Sequence, residues 1–271
     1  MTLPNDSAHP TPVAFVTGAA RGIGLAITRW FLAHGYRVTL VDIDASTLAA
    51  TVAALQNGLG AEGHRVLALH CDVSSPAQVD AAVKQTVQTF GSIDALVNNA
   101  GVAAFKPIGE TTFDDWRWVM STNLDGAFLC TQAVAPVMLG LGGGAVVNIA
   151  SISGLRASTL RVAYGTSKAA LIHLTKQQAV EYGNAGIRVN AIAPGPVETA
   201  MAKAVHSPAI RADYHDTIPL ARYGTEEEIA NAVGFLCSAE ASYVNGQVLA
   251  VDGGFDAAGV GLPTLRRPVS P

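Results

Sequence analysis

Short apolar runs alternate with longer stretches of helical period along most of this chain, and this alternation constrains the fold more than any other feature. The pattern is typical of βαβ units, in which crossover helices join parallel strands. Most of the short runs are continuously apolar, as expected of strands that helices cover on both faces. The predicted strands are residues 13–17, 37–41, 66–70, 95–98, 145–149, 188–193 and 248–251. We therefore predict an α/β fold with one doubly wound, parallel, seven-stranded sheet flanked by helices on both faces.

Residues suited to helix N-caps precede several of the helical stretches. The cap candidates are Asp44, Ser75 ahead of Pro76, Thr112 with Asp115, and Thr225 with Glu228. The side chain of such a residue accepts a hydrogen bond from a free N–H of the first helical turn. A length of 271 residues fits one domain of this class. We predict a flexible tail over residues 1–11 and a single domain over residues 12–271.

The charge composition argues against some classes of partner. Hydrophobic residues make up 49% of the chain, charged residues make up 14%, and the net charge is −4 with no basic run. Nucleic-acid binders normally carry a basic stripe, so we expect no nucleic-acid partner. The three cysteines have no CxxC spacing, which fits a reducing compartment and predicts a cytoplasmic location. The low share of charge also favours subunit contacts.

A charge-free run over residues 126–155 is long enough to raise the question of a membrane span. Pro136, Gly140 and residues 142–144 interrupt it near its middle. Such breaks are hard to place in lipid, where the backbone must satisfy its own hydrogen bonds. We interpret the run as a buried helix, a turn and a buried strand, and we expect no membrane partner.

The turn after the first predicted strand is rich in glycine, with Gly18, Gly22 and Gly24 ahead of a helical pattern. Glycines let the backbone turn tightly and approach a pyrophosphate, which the helix N-terminus can then bind. A glycine cluster alone fits an ordinary strand-to-helix turn equally well. The second strand leads into Asp42, 18 positions beyond Gly24. A carboxylate at this place can accept both hydroxyls of an adenosine ribose.

Polar residues also follow the third and fourth predicted strands. Asp72 and Val73 come after the third strand, and the fourth ends in the run Asn98-Asn99-Ala100-Gly101. Ligands of open α/β sheets bind at the carboxyl ends of the strands. The shared location of these residues therefore predicts a dinucleotide-binding groove.

A tyrosine and a lysine stand four positions apart in a later helical stretch, as Tyr164 and Lys168. This spacing places both side chains on one face of the helix. An ammonium group near a phenol lowers the phenol pKa from its reference of about 10. Such a tyrosine can serve as an acid/base catalyst, although the same spacing is also common on solvated helix faces.

Together these motifs resemble the short-chain dehydrogenase/reductase family, in its single-domain form of about 250 residues. The matching segments are Thr17-Gly18-x-x-x-Gly22-x-Gly24, Asn98-Asn99-Ala100-Gly101, Asn123, Ser151, Tyr164-x-x-x-Lys168 and Pro194-Gly195, in the family's order and spacing. The resemblance spans residues 12–255 and implies a Rossmann-type fold with an NAD(P)-dependent oxidoreductase activity.

The resemblance implies four catalytic residues. Tyr164 would exchange a proton with the substrate oxygen, and Ser151 would hydrogen-bond that oxygen. Lys168 would depress the tyrosine pKa and bind the nicotinamide ribose, while Asn123 would hold a water that links the lysine to solvent. Ser151 is preferred over Ser153 because it stands thirteen residues before Tyr164, the usual interval in the family.

The resemblance further implies a set of coenzyme contacts along the carboxyl edge of the sheet. They are Gly18, Arg21, Gly22, Ile23, Gly24, Asp42, Asp72, Val73, Asn99, Ala100, Gly101, Tyr164, Lys168, Pro194, Gly195, Val197 and Thr199. Asp42 favours NAD as cofactor, because a carboxylate in contact repels the ribose phosphate of NADP. Arg21 could support that phosphate, so NADP stands as the weaker alternative.

Four residues are candidate substrate contacts: Ser153, Arg156, Arg161 and His206. The two arginines could bind an anionic or hydroxyl-rich substrate, or they could be ordinary surface residues. In relatives, the stretch corresponding to residues 200–220 closes over substrate, so we predict a lid there.

The histidines that could suggest a metal site are His173, His206 and His215, and no pair of them has ligand spacing. We predict no metal site.

The leading functional hypothesis is hydride transfer between NAD(H) and a small secondary alcohol or polyol and its ketone. An NADPH-dependent 3-oxoacyl-thioester reductase is the first alternative, and a non-catalytic NAD(P)-sensing regulator is the second. The stretches over residues 112–139 and 163–182 carry apolar residues on more than one helix face. Since relatives are commonly tetramers, we predict a homotetramer that acts on a small-molecule substrate.

Overall fold

The computed structural model describes residues 11–259, and over this range the chain forms one parallel sheet of seven strands. The strands are β1 (Val13–Thr17), β2 (Arg37–Asp42), β3 (Val66–His70), β4 (Ala95–Asn98), β5 (Gly144–Ile149), β6 (Ile187–Pro194) and β7 (Val248–Val251). The predicted doubly wound sheet of Rossmann type is confirmed. The predicted tail over residues 1–11 lies almost wholly outside the described residues.

Helices connect the strands and cover both faces of the sheet. Within the described range they are α1 (Gly22–Ala33), α2 (Ala45–Leu59), α3 (Pro76–Phe90), α4 (Phe113–Met120), α5 (Gly126–Leu141), α6 (Ile152–Leu155), α7 (Val162–Tyr182), α8 (Ala200–Val205), α9 (Pro208–Thr217) and α10 (Glu226–Cys237). The predicted lid over residues 200–220 thus consists of two short helices, α8 and α9, and the turn after them.

The predicted N-caps stand where these helices begin. Thr112 and Thr225 each form a complete capping box with the acidic residue three positions on. Asp44 accepts a hydrogen bond from the Thr47 N–H at 3.0 Å. Ser75 differs, because it occupies the N-cap position of α3 but its side chain makes no capping bond there. Pro76 follows it, and a proline at the first helical position leaves one N–H fewer to satisfy.

The order of the strands places a crevice at the middle of the sheet. The order is β3-β2-β1-β4-β5-β6-β7, so β1 pairs with β2 on one side and with β4 on the other. The chain leaves β1 and β4 on opposite sides of this point, which is where doubly wound sheets bind their ligands. The carboxyl ends of β1, β4 and β5 therefore border one groove.

Two apolar clusters fill the layers between helices and sheet. One includes Ile27 and Phe31 of α1 with Val233 of α10, and the other includes Val134 and Met138 of α5. Helices α1 and α10 pack very closely: a Cβ added at Gly234 would lie 2.2 Å from ring atoms of Trp30. Glycine is required at that position because any side chain would collide with the indole.

The helical segment Phe113–Leu141 is long and apolar enough to cross a membrane by length and composition alone, with a mean hydropathy of 1.4. It comprises α4, a π-helical turn over Ser121–Asp125, and α5. Helix α5 packs against α3 and against β4 and β5. The charge-free run does form a helix, a turn at residues 142–143 and a strand, as predicted from the sequence.

Candidate active site

The turn between β1 and α1 is shaped by its glycines. Gly18 and Gly22 have φ angles of +62° and +60°, in the left-handed region that glycine adopts without strain. A Cβ at Gly24 would lie 2.1 Å from the Gly18 carbonyl oxygen, so the helix packs directly on the turn. Arg21, at the N-cap of α1, makes no side-chain capping bond. The first turn of α1 therefore offers its N–H groups and positive dipole end to the crevice.

Asp42 connects this turn to the end of β2. Its carboxylate is buried and accepts hydrogen bonds from the N–H of Ala20 and the N–H of Asp44, both at 3.0 Å. Nearby, Arg21 Nη1 donates to Asp44 Oδ2 at 3.0 Å. Hydrogen bonds from Thr47, and more weakly from Arg21, hold the pKa of Asp44 below its usual range. The buried carboxylate and the glycine turn fit the adenosine end of NAD(P).

The segment after β4 closes the other side of the groove. Asn99 Nδ2 donates to the carbonyl oxygens of Thr17 at 2.9 Å and Gly18 at 3.0 Å. The N–H groups of Asn99 and Ala100 both donate to Thr17 Oγ1 at 3.0 Å. The sequence analysis did not single out the Thr17 side chain, although a polar residue at the end of a buried apolar strand is a usable signal.

A buried hydrogen-bond chain lies beneath this segment. Asn98 Nδ2 donates to Asn148 Oδ1 at 2.8 Å, and Asn148 Nδ2 donates to Thr175 Oγ1 at 2.9 Å. The chain links β4, β5 and α7, and buried polar chains of this kind favour one arrangement of the elements they join. Asn148 was not predicted as a site residue; its signal is an amide at a buried strand position.

Ser151, Tyr164 and Lys168 come together at the carboxyl end of β5. Ser151 is the N-cap of α6, and its Oγ accepts a hydrogen bond from the Ser153 N–H at 3.1 Å. Lys168 is buried, donates from Nζ to the Ile149 carbonyl oxygen at 2.7 Å, and lies 5.8 Å from the centroid of the Tyr164 ring. Gly101 lies beside this lysine, because a Cβ added at Gly101 would be 3.5 Å from Lys168 Nζ.

The pKa values differ from the expectation that Lys168 depresses the phenol. Burial raises the pKa of Tyr164, while interaction with the Ser151 hydroxyl and the charge of Arg161 oppose the rise. Burial lowers the pKa of Lys168 to about 8. The physical reason is that burial removes the ammonium group of Lys168 from water and so disfavours its charge.

Asn123 lies in the π-helical turn and is fully engaged with its neighbours. Its Oδ1 accepts from the Val102 N–H at 2.8 Å, and its Nδ2 donates to the Val102 carbonyl oxygen at 2.9 Å and to Ser167 Oγ at 3.0 Å. The residue joins the loop after β4 to helix α7. π-Helical turns are rare in proteins, and those that occur are often found at functional sites.

The remaining predicted coenzyme contacts have local partners. Asp72 Oδ1 accepts from the N–H and the hydroxyl of Ser74, at 2.9 and 2.7 Å. Val73 is buried against α5. Thr199 caps α8 by accepting a hydrogen bond from the Ala202 N–H at 3.1 Å.

Pro194 ends β6 opposite Val251, and the Gly195 N–H donates to the Val251 carbonyl oxygen at 3.0 Å. Val197 is buried and pairs with Gly224. These residues place the start of the predicted lid at the carboxyl edge of the sheet. Ile23, another predicted coenzyme contact, lies in the first turn of α1.

Three of the four predicted substrate residues, Ser153, Arg156 and Arg161, line a cavity of about 620 Å³ between α6, α7 and the loop after β4, and His206 does not line it. Ser153 is buried, and its Oγ lies 3.0 Å from Ser158 Oγ. Arg161 Nη1 donates weakly to Ser153 Oγ at 3.4 Å. Arg156 turns to the C-terminal segment, where Nη1 donates to the Phe255 carbonyl oxygen at 2.6 Å.

His206 belongs to an aromatic cluster in the lid. Its Nδ1 lies 3.0 Å from the Tyr223 hydroxyl, and its ring packs against Tyr214. Burial and the charges of Arg161 and Arg211 lower the pKa of His206. The sequence analysis did not predict the contact of His206 with Tyr223 or the ion pair of Arg211 with Glu198. No spacing in the sequence links these residues.

Residues 11–259 contain no group of three or more histidine, cysteine or acidic side chains that could hold a metal ion. Burial raises the pKa of the Cys71 thiol to about 11 and that of the Cys237 thiol to about 12. A thiol with a raised pKa is a poor nucleophile, so these cysteines serve packing.

Comparison with known proteins places the chain in a family. A family model described as enoyl-(acyl carrier protein) reductase matches residues 18–256. A 2-(R)-hydroxypropyl-CoM dehydrogenase of Xanthobacter autotrophicus is 43% identical over 249 residues, which is 90% of this chain and 98% of that protein. A D-threitol dehydrogenase of Mycolicibacterium smegmatis is 43% identical, with 90% and 92% covered. A 3-oxoacyl-[acyl-carrier-protein] reductase of Synechocystis is 38% identical, with 89% and 96% covered.

Solved structures agree. A levodione reductase superposes with a TM-score of 0.87 at 37% identity, covering 92% of this chain and 100% of that one. A gluconate 5-dehydrogenase from Burkholderia cenocepacia, in complex with NADP and tartrate, gives a TM-score of 0.85 at 35% identity, with 92% and 97% covered.

The chain belongs to the short-chain dehydrogenase/reductase family. It is an NAD(P)-dependent oxidoreductase that acts on CH–OH groups of small molecules.

Proposed function

We propose that this enzyme transfers a hydride between NAD(H) and a small secondary alcohol or polyol and the corresponding ketone, with Tyr164 as acid/base. The observation that carries the proposal is the convergence of Ser151, Tyr164 and Lys168 at the carboxyl end of β5, beside the glycine turn. The coenzyme supplies hydride chemistry when bound, and the protein supplies orientation and the proton.

Each catalytic side chain has a role that its surroundings support. Ser151 holds the substrate oxygen, and Tyr164 gives that oxygen a proton or takes one from it. Burial raises the pKa of Tyr164, while the Ser151 hydroxyl and the charge of Arg161 oppose that rise and so favour the phenolate. Lys168 would hold the nicotinamide ribose from its place beside Gly101. Asn123 keeps α7 and the loop after β4 in register.

The proposed coenzyme preference is NAD, and Asp42 and Asp44 support it. Asp42 stands at the end of β2, where it would accept the ribose hydroxyls and repel a phosphate. Arg21, which could otherwise support the phosphate, is paired with Asp44. The bound NADP in the gluconate 5-dehydrogenase belongs to that protein and not to this one.

Two other functions are weaker. An NADPH-dependent 3-oxoacyl-thioester reductase fits the Synechocystis relative, but Asp42 argues against the coenzyme that such an enzyme needs. A non-catalytic NAD(P)-sensing regulator has no need for a complete set of Asn123, Ser151, Tyr164 and Lys168, and this chain has all four.

We further propose a cytoplasmic homotetramer. Large apolar side chains stay exposed on α4, α5 and α7, among them Phe113 at 74% and Val180 at 80% exposure. Exposed apolar surface of this extent supports subunit contacts on these helices. Sedimentation velocity at micromolar concentration should give a tetramer, and a stable monomer would contradict the proposal.

A substrate panel tests the main proposal. The panel contains polyols, sugars, hydroxy acids and hydroxyacyl thioesters. Each compound is offered with NAD and with NADP, and coenzyme reduction is followed by absorbance. We expect turnover of a secondary alcohol with NAD. Turnover confined to acyl thioesters with NADP would support the reductase, and coenzyme binding without turnover of any compound would support the sensor.

A further inference from the structure

Arg161 stands at the entrance of helix α7, three residues before Tyr164. The preceding residue, Leu160, has a φ of +61°, which is unusual for a residue other than glycine. The Leu160 carbonyl oxygen accepts a hydrogen bond from the Lys106 N–H at 3.2 Å, and Lys106 and Arg161 form a parallel bridge. The backbone at Arg161 is therefore held in place from a distant loop.

The side chain of Arg161 is partly buried and supported mainly by apolar contact. Its guanidinium lies over the Phe105 ring at 5.3 Å from the centroid, and Nη1 makes one long bond to Ser153 Oγ. The ion pairs within residues 11–259 involve Arg21, Arg65, Lys106, Arg211 and Arg222 but not Arg161. A partly desolvated arginine without a carboxylate in that range has most of its five N–H donors available.

The positive charge of Arg161 is not balanced by a carboxylate partner among the described residues. The charge of Arg161 acts on Tyr164, on His206 and on Tyr223, so it lies between the catalytic phenol and the lid. Arg211 is nearby and already binds Glu198. The whole chain has a net charge of −4, which makes a cationic pocket next to the catalytic tyrosine a local feature.

We propose that Arg161 is a specificity-determining residue that binds a carboxylate or sulfonate group of the substrate, so that the enzyme acts on anionic hydroxy compounds. This inference rests on the proposed function and narrows its substrate class. A guanidinium matches a planar carboxylate through two parallel N–H donors, a geometry that a lysine does not reproduce. The pairing would neutralise the uncompensated charge beside Tyr164.

Matched substrates test the proposal. We would compare 3-hydroxybutyrate with 3-hydroxybutyramide, and 4-hydroxypentanoate with its amide. Both enantiomers of each compound are assayed with NAD. A charged hydrogen-bond pair should give the acid an advantage of about tenfold or more in kcat/KM over the amide. The sulfonate analogue of 4-hydroxypentanoate, which is 3-hydroxybutane-1-sulfonate, shows whether the site prefers a carboxylate or a sulfonate.

Arg161→Gln should abolish this advantage through a higher KM for the acid. Loss of a charge that opposes the raised pKa of Tyr164 should also lower kcat, but equally for acid and amide, so the ratio of the two kcat/KM values measures the anion contact. Arg161→Lys should restore part of the advantage, because the charge remains but the fork does not. Lys84→Gln is the matched control, since Lys84 is exposed on α3 and its loss changes the net charge equally. Thermal unfolding and NADH binding of each variant show whether the fold is intact.

The outcomes separate this inference from the proposed function. Equal turnover of acid and amide by the wild type, or an unchanged ratio of acid to amide kcat/KM in Arg161→Gln, would overturn the anion site and leave the oxidoreductase intact. If no alcohol is oxidised, calorimetry with butyrate in the presence of NADH still decides. Butyrate binding that Arg161→Gln removes supports the site, and binding that is absent or unchanged overturns it.

Discussion

The coenzyme side and the substrate side of the groove are built in different ways. On the coenzyme side, Asp42 and Asn99 direct their side chains to main-chain groups of the glycine turn, and both lie at strand ends. On the substrate side, Arg156 bonds to Phe255 and His206 lies within hydrogen-bond distance of Tyr223, and both partners lie in segments outside the sheet. The first region holds the residues that we propose to bind the coenzyme. The second can vary without disturbing the sheet, as functional loops on a rigid scaffold do.

The largest effect expected is on the chemistry that both regions share. Tyr164→Phe removes the transferable proton and should lower kcat by about 10²–10⁴-fold, while NADH binding and folding stay close to normal. Steady-state assays with the best alcohol of the panel, together with fluorescence titration of NADH, measure both. Tyr182→Phe, at the end of the same helix, is the control and should keep its rate. A near-normal rate in Tyr164→Phe would show that the acid/base role is misplaced.

Lys168 lies where the two regions meet, and its burial makes stability depend on pH. The pKa of Lys168 is about 8 in the folded protein, against 10.5 for an ordinary lysine. Between these values the unfolded chain binds more protons, so wild-type stability should rise as pH increases through that window. Lys168→Met should remove the rise and be more stable below pH 8 by up to roughly 3 kcal/mol.

Urea unfolding at pH 7 and pH 9.5 measures this difference. The lost hydrogen bond to Ile149 reduces the gain, but it acts at both pH values and does not change the slope. The upper pH is kept below 10 because of Tyr164. Its pKa is raised in the folded protein, so above pH 10 the unfolded chain binds fewer protons and stability falls as pH rises. Parallel curves for wild type and variant would contradict the assignment of the slope to Lys168.

A smaller effect is expected at the coenzyme ribose. Asp42→Asn keeps an oxygen for only one of the two bonds from the N–H groups of Ala20 and Asp44, and it removes the charge. The preference for NAD over NADP should therefore fall by about tenfold. Asp44→Ala frees Arg21 from its ion pair and should raise kcat/KM with NADP by a few fold. Arg21→Gln in the Asp44→Ala background should cancel that gain. Equal kcat/KM for NAD and NADP in the wild type would show that Asp42 does not select the coenzyme.

The smallest effect is expected at the contact between Arg156 on the substrate side and Phe255 near the end of the described chain. Arg156→Gln removes one hydrogen bond to Phe255 and a cation–π contact of 5.4 Å, at a cost of about 1 kcal/mol in stability. The KM of acid and amide substrates should rise together, in contrast to Arg161→Gln. A selective loss of the acid would mean that Arg156 also contacts the anion.

Local patterns in the sequence predicted the scaffold closely. Short, mostly apolar runs marked every strand of the described sheet, and the structure extends three of them by one or two residues, as at Asp42 and Pro194. The reason is that a buried parallel strand needs uninterrupted apolar residues, and its end is marked by the first polar or turn residue. The glycine turn and the capping boxes depend equally on neighbours within a few positions.

The sequence by itself therefore determined the sheet, the glycine turn, the spacing of Ser151, Tyr164 and Lys168, and the family. Tertiary structure alone decided which charges act on the phenol, that Asp44 holds Arg21, and that Arg156 and Arg161 have different surroundings. Those properties depend on burial and on contacts between segments up to 99 positions apart. No local pattern encodes such contacts, because the free energy of a charge depends on everything around it in space.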